Sequence, residues 1–104
     1  MAADRKTQLI ALLADFPDDP FIKYGIAMEE SSAGELENAG RRFETLIAEH
    51  PDYVPAYLQA GQLMGKLEQV DKARDIYTRG IAVARKQKDL KAAGEMEQFM
   101  DALD

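Results

Sequence analysis

The chain contains no cysteine and no tryptophan, and only one histidine and four prolines among 104 residues. Without cysteine, disulfides, thiolate metal sites and thiol nucleophiles are excluded together, and a reducing compartment is permitted. Surplus basic charge is lacking too, since 13 Lys and Arg stand against 19 Asp and Glu for a formal net charge of -6. Nucleic-acid affinity comes largely from counterion release by clustered cations, so this balance opposes a DNA or RNA partner. Long apolar runs are also missing. The segment Leu9-Ile10-Ala11-Leu12-Leu13-Ala14 follows Arg5 and Lys6 but stops at Asp15, short of a secretion-signal core and far short of a bilayer span. A cytoplasmic protein without membrane or nucleic-acid partners is the expectation.

What is present is a globular composition, 46% apolar and 31% charged, enough to build one core in one domain spanning 1–104. Pro17 and Pro51 stand 34 residues apart, and the same offset relates Ala39 to Ala73, Phe43 to Tyr77 and Ile47 to Ile81. Stepping back by that period from Phe43, Leu46 and Ile47 lands on Leu9, Leu12 and Leu13. A fixed period of this length is the mark of a stacked repeat. Within each period apolar residues recur at i, i+3, i+4 and i+7, the spacing of a helix that buries one face, and nothing reads as a strand. Breaks near 15–19, 33–34, 50–51, 67–69 and 87–89 divide the chain into six helical segments, or three pairs. Asp19 is placed to cap the second helix with Pro20 at its first position, Asp52 to help start the fourth, and Asp89 to cap the sixth.

The spacing Tyr57-x2-Ala60-Gly61-x2-Met64, then Ala73-x3-Tyr77, resembles the tetratricopeptide repeat family. A second copy reads Lys23-x2-Ile26-Ala27-x2-Glu30, Ala39-x3-Phe43 and Pro51, with Gly34 at its hairpin. A first helix recurs with one residue deleted as Leu90-x2-Ala93-Gly94-x2-Glu97, and Leu9 to Pro17 resembles a lone second helix. The resemblance implies an all-α, right-handed helical-repeat solenoid of three antiparallel helix pairs. Its parts are an N-terminal half-repeat helix 4–16, full repeats 20–51 and 54–86, and a C-terminal partial repeat or capping helix 89–103. Small residues at Ala27, Ala39, Gly61, Ala73 and Gly80 let helices approach, while Phe43 and Tyr77 fill the space between pairs. Four residues depart from the pattern and bear on geometry: Lys23 and Glu30 stand where large apolar residues are usual, Glu68 where a turn glycine is usual, and Arg85 where a closing proline is usual.

No reactive constellation accompanies the repeat. His50 precedes Pro51 at a helix end and reads as structural or solvated. The pairs Asp18-Asp19 and Glu29-Glu30 read as solvated charge, because adjacent helical residues point apart and no loop alternates ligands as a calcium site does. Gly65-Lys66 lacks the rest of a phosphate loop, and Ser31-Ser32 have no histidine to activate them. The cations Arg85, Lys86, Lys88 and Lys91 suit the negative end of the fifth helix dipole, with an acidic peptide contact as the alternative. Neither an enzyme nor a cofactor or metal site is expected.

The family resemblance implies a concave groove, lined by the first helix of each pair, that holds a segment of another protein. Carried over by position, the groove comprises Phe21, Tyr24 and Met28, then Leu58, Gln59 and Gln62, then Lys88, Lys91, Ala92 and Glu95. A second reading makes Phe21, Tyr24 and Met28 core residues against the first helix. One branch of the family grips a terminal carboxylate with five Lys, Asn and Arg residues; the matching positions here are Tyr24, Met28, Gln59, Lys88 and Ala92, and only Lys88 agrees. The expected function is thus that of an adaptor or scaffold binding a protein or peptide. The alternative is a homodimer or larger homo-oligomer formed through the last helix, whose apolar Met96, Phe99, Met100 and Leu103 exceed what docking on the fifth helix would hide.

Overall fold

The computed structural model describes residues 4–103; residues 1–3 and 104, which the single-domain expectation includes, lie outside the described residues. Six helices follow in order, α1 (Arg5–Asp15), α2 (Pro20–Ser32), α3 (Leu36–Glu49), α4 (Val54–Lys66), α5 (Val70–Lys86) and α6 (Leu90–Asp101). No strand occurs among the described residues. Each helix packs on the next in the chain, and α6 also reaches back to α4. The result is an elongated all-α helical repeat of 43 × 28 × 20 Å.

Local chemistry sets the helix starts. Asp4 accepts from the Thr7 amide at 2.7 Å, and Asp19 accepts from the Phe21 and Ile22 amides at 2.8 and 3.3 Å with Pro20 opening the helix. Asp89 accepts from the Ala92 amide at 3.1 Å. Each bond satisfies a donor that the first turn leaves without an intrahelical partner. Asp52 does not act this way. Tyr53 occupies the cap of α4 with no side-chain bond, and Pro55 in the first turn sets the backbone there instead.

The helix ends explain the departures from the repeat pattern. Gly34, Glu68 and Lys88 all adopt left-handed backbone, with φ of 83°, 60° and 62°. In each case the next amide reaches back to close the helix: Glu35 N–H to Glu30 O at 2.9 Å, Gln69 N–H to Met64 O at 2.9 Å, and Asp89 N–H to Ala84 O at 2.8 Å. Glu68 therefore builds the turn a glycine would, at a steric cost to its Cβ. α1 and α3 stop just before Pro17 and Pro51, whereas α5, with Arg85 in that register, continues to Lys86 over 17 residues. Without a proline ring to clash with the preceding turn, the helix has no reason to stop.

The main core joins α2 to α6 and is filled by Phe43, Tyr57, Tyr77, Leu46, Leu63 and Met96, with alanines at 27, 39, 56, 60, 73 and 84. Gly61 and Gly80 mark the closest approaches: a Cβ on Gly61 would enter the Tyr77 ring, and one on Gly80 would lie 2.5 Å from Tyr57 Cβ. α1 stands on a separate small cluster of Leu9, Ile22 and Ile26, flanked by Leu13. It is the least embedded helix, with Ile10, Leu12 and Phe16 exposed.

Candidate partner-binding surface

Tyr24 projects from the middle of α2 onto an aromatic platform. Its ring meets Phe43 of α3 edge-on at 6.1 Å and 64°, and Tyr53 at 5.7 Å and 63°. Such edge-to-face pairs add roughly 0.5–1.5 kcal/mol each beyond area burial, and they fix the ring in place. Burial raises the Tyr24 phenol above its ordinary range, and a side-chain hydrogen bond with Gln59 of α4 opposes that shift. Tyr24 and Gln59, two of the residues drawn from the resemblance, are thereby brought together across neighbouring repeats. Tyr53 was not among the sequence candidates, because it lies just before α4 and outside the helical periodicity. The signal that could have found it is an aromatic residue shortly after the Pro51 stop.

The other candidates differ in depth. Met28 and Leu58 are half-buried and lean on the main core, Gln62 is half-buried, and Phe21 is 64% exposed at the start of α2. The α2 trio does not complete a core against α1: Phe21 is surface, while Tyr24 and Met28, partly accessible, lean on the main core and not on the cluster under α1. Lys88 lies in the left-handed turn before α6, and Lys91 in the first turn of that helix, both exposed. Ala92 and Glu95 are half-buried.

The residues read as a self-association set do not share one surface. Met96 is fully buried, so it is corrected from a surface contact to a core residue. Its sulfur packs where a Gly80 side chain would otherwise be, 2.7 Å from the Cβ that glycine lacks. Phe99 stacks on Tyr77 with centroids 6.3 Å apart and planes at 13°, and Met100 and Leu103 lean on the main core. Docking on α4 and α5 thus hides Met96 and part of Met100 and Leu103, while Phe99 stays 39% exposed.

Glu30 also requires correction. It is 2% exposed, not solvated, and it bridges Lys6 Nζ of α1 at 3.0 Å and Arg42 Nε of α3 at 2.5 Å. Burial pushes its carboxyl up, but hydrogen bonds from Lys6 and Arg42 and their positive charges outweigh this and hold it below the usual carboxylate value. Its neighbour Glu29 pairs with Arg5 at 3.7 Å. Beside Glu30 lies an open cleft of about 460 Å³ lined by Leu13, Ile26, Arg41 and Leu46 among others. Helical spacing puts Ile26 and Glu30 on the side of α2 away from Phe21 and Met28, so this cleft is separate from the Tyr24 surface. Two of its cations are paired with carboxylates, Arg42 with Glu30 and Lys23 with Glu49, while Arg41 donates to the neutral amide oxygen of Asn38.

Among the described residues, no group of three His, Asp or Glu side chains could hold a metal ion. None of the helices described is long and apolar enough to cross a membrane.

A sequence profile described as Tetratricopeptide repeat matches residues 31–96. The chain belongs to the tetratricopeptide repeat family. It is similar to the solution structure of a tetratricopeptide repeat domain protein from Salinibacter ruber, at 34% identity and a TM-score of 0.80, over 85% of this chain and 89% of that one. The crystal structure of the tetratricopeptide repeat domain protein from that organism is also similar, at 34% identity and a TM-score of 0.78, covering 82% and 96%. A protein from Bordetella parapertussis shares the fold at a TM-score of 0.84 and 19% identity, covering 98% of this chain and 89% of that one. A TPR repeat-containing protein from Pseudomonas aeruginosa is 25% identical over 93 residues, 89% of each chain. The tetratricopeptide fold is generally a protein–protein interaction module, and its members are typically non-catalytic.

Proposed function

We propose that this tetratricopeptide chain is an adaptor that holds a segment of another protein against α2, α4 and the start of α6. The observation that carries the reading is the fixing of Tyr24. A ring already held by Phe43, Tyr53 and Gln59 loses little entropy when a partner packs on it, which is how a few aromatic anchors come to dominate an interface. Exposed Phe21 and half-buried Met28 and Leu58 extend the anchor with apolar area, Gln62 offers a hydrogen-bonding group, and Lys88 and Lys91 add positive charge at one end. A partner segment with an apolar centre and an acidic end fits that gradient. A cysteine-free chain suits a reducing compartment, and we assign the adaptor to the cytoplasm.

The test is selection from a displayed random-peptide library, followed by affinity measurement on variants. Phe21→Ala and Leu58→Ala are expected to weaken selected peptides by about tenfold or more, a loss of roughly 1.4 kcal/mol, in protein that melts as wild type does. Acidic residues should be enriched at one end of the selected peptides. Peptides that bind both folded variants as well as wild type would remove this surface from consideration.

A further inference from the structure

The helices at the two ends of the stack are incomplete in opposite ways. By the 34-residue register α1 is a second helix, equivalent to α3 and α5, with no first helix of its own pair among the described residues. Leu12 falls in register with Leu46 and Gly80. Leu46 is 1% exposed and Gly80 is buried, but Leu12 is 42% exposed. Phe16, the cap residue that follows α1, is also exposed.

α6 shows the reverse deficit. Shifted by one residue, it is a first helix equivalent to α4, so Leu90 matches Tyr57 and Gly94 matches Gly61. In α4 both positions are covered by the second helix of the pair: Tyr57 is 2% exposed, and the Tyr77 ring fills the space above Gly61. In α6 Leu90 is 73% exposed, and a Cβ on Gly94 would meet no described atom within 4 Å. The seat that α5 occupies on α4 is open on α6.

We infer that copies of this chain associate head to tail, the exposed face of α1 in one copy seating on the exposed face of α6 in the next. The occupant is argued from the chain's own α4–α5 pair. There the position of Leu12 (Gly80) faces the position of Leu90 (Tyr57), so the new contact brings Leu12 against Leu90, at a separation wider than the close approach that only a glycine at 80 permits. One helix needs a second-helix partner and the other needs a first-helix partner, so two copies of either end alone do not satisfy each other. The contact is heterologous, and its repetition adds subunits rather than stopping at a two-fold dimer. It does not depend on the groove reading, since Leu12 and Leu90 are not among the groove residues.

Light scattering or sedimentation velocity across a series from low micromolar to near-millimolar tests the inference. The weight-average mass of the wild type is expected to climb with concentration. Leu12→Glu and Leu90→Glu, both at exposed positions and checked by thermal melting, should each remain monomeric alone. An equimolar mixture should form a 1:1 dimer, because one variant keeps an intact α6 face and the other an intact α1 face. A wild type that is monomeric throughout overturns the inference. So does a Leu12→Glu variant that still dimerises by itself, which would indicate an α6–α6 contact, or a mixture that stays monomeric. Peptide binding at Phe21 and Leu58 is expected to be unchanged in Leu12→Glu, whose site on α1 lies outside the groove, so this test and that of the groove fail separately.

Discussion

Tyr77 of α5 lies so close to Gly61 of α4 that a methyl group on the glycine would occupy the aromatic ring. Tyr77 is 1% exposed and also stacks on Phe99, so it has no direction in which to yield. Gly61→Ala is therefore expected to destabilise the fold by about 2–3 kcal/mol, the upper part of the range for overpacking a filled core. Gly94→Ala, at the equivalent position on α6 where space is open, should stabilise by about 0.5–1 kcal/mol through helix propensity alone. Chemical denaturation of the two variants at low protein concentration checks the pair. Equal effects would mean that the space around Gly94 is as filled as that around Gly61.

Burial pushes the Tyr77 phenol up to about 12, because its anion has no access to water in the folded state. The folded state holds this proton more tightly than the unfolded chain, whose phenol titrates near 10. The stability it contributes is complete below about pH 10 and is lost as pH rises toward 12, by on the order of 2 kcal/mol. Tyr77→Phe should flatten that part of the curve. Melting temperatures measured across pH 9 to 12 for both proteins provide the comparison.

Glu30 joins three helices through Lys6 of α1 and Arg42 of α3. Its folded carboxyl titrates below the unfolded value, so its contribution is present above the unfolded carboxylate range near 4.5 and is lost as pH falls through the folded value. Glu30→Gln is expected to cost about 1–2 kcal/mol at neutral pH, below the cost of a fully buried pair because Lys6 and Arg42 can still reach water. The difference from wild type should shrink on acidification. Amide exchange should locate the loss first in α1, whose remaining support is the small cluster of Leu9, Leu13, Ile22 and Ile26 and the part-exposed ion pairs of Arg5 with Glu29 and Lys6 with Glu35.

Glu68 and Gly34 occupy the same kind of turn, but only one is a glycine. Glu68→Gly is expected to stabilise by about 0.5–1 kcal/mol, relief of the left-handed strain exceeding the entropy a glycine adds to the unfolded chain. Gly34→Ala should destabilise by roughly 1 kcal/mol, even though nothing crowds its Cβ, because the conformation itself is disfavoured. Thermal unfolding of both variants measures the balance.

Much of the fold was legible because a helix that buries one face writes its period into the chain. The Pro17–Pro51 spacing, the alanine and glycine positions and the caps at Asp19 and Asp89 are local or periodic signals, and the structure uses each of them. The candidate surface was less legible. Tyr24 was found through its place in the repeat, but its platform needed Tyr53, which no periodic signal marks. Met96 reads like its apolar neighbours on α6, and only the packing of Gly80 against it reveals that it is interior.

By itself, the sequence determined the helix count, the repeat length and the small residues that permit close packing, since all follow from backbone geometry and side-chain volume at fixed intervals. Only the tertiary structure decided which charges are buried and which apolar faces stay open. Glu30 and Glu29 are chemically alike and adjacent, yet one lies between two cations in the interior while the other remains part-exposed beside Arg5. Leu12 and Leu46 are the same residue at the same step of the repeat, yet one is open and the other closed. Burial depends on which helix lies opposite, a relation between distant parts of the chain that no local pattern encodes.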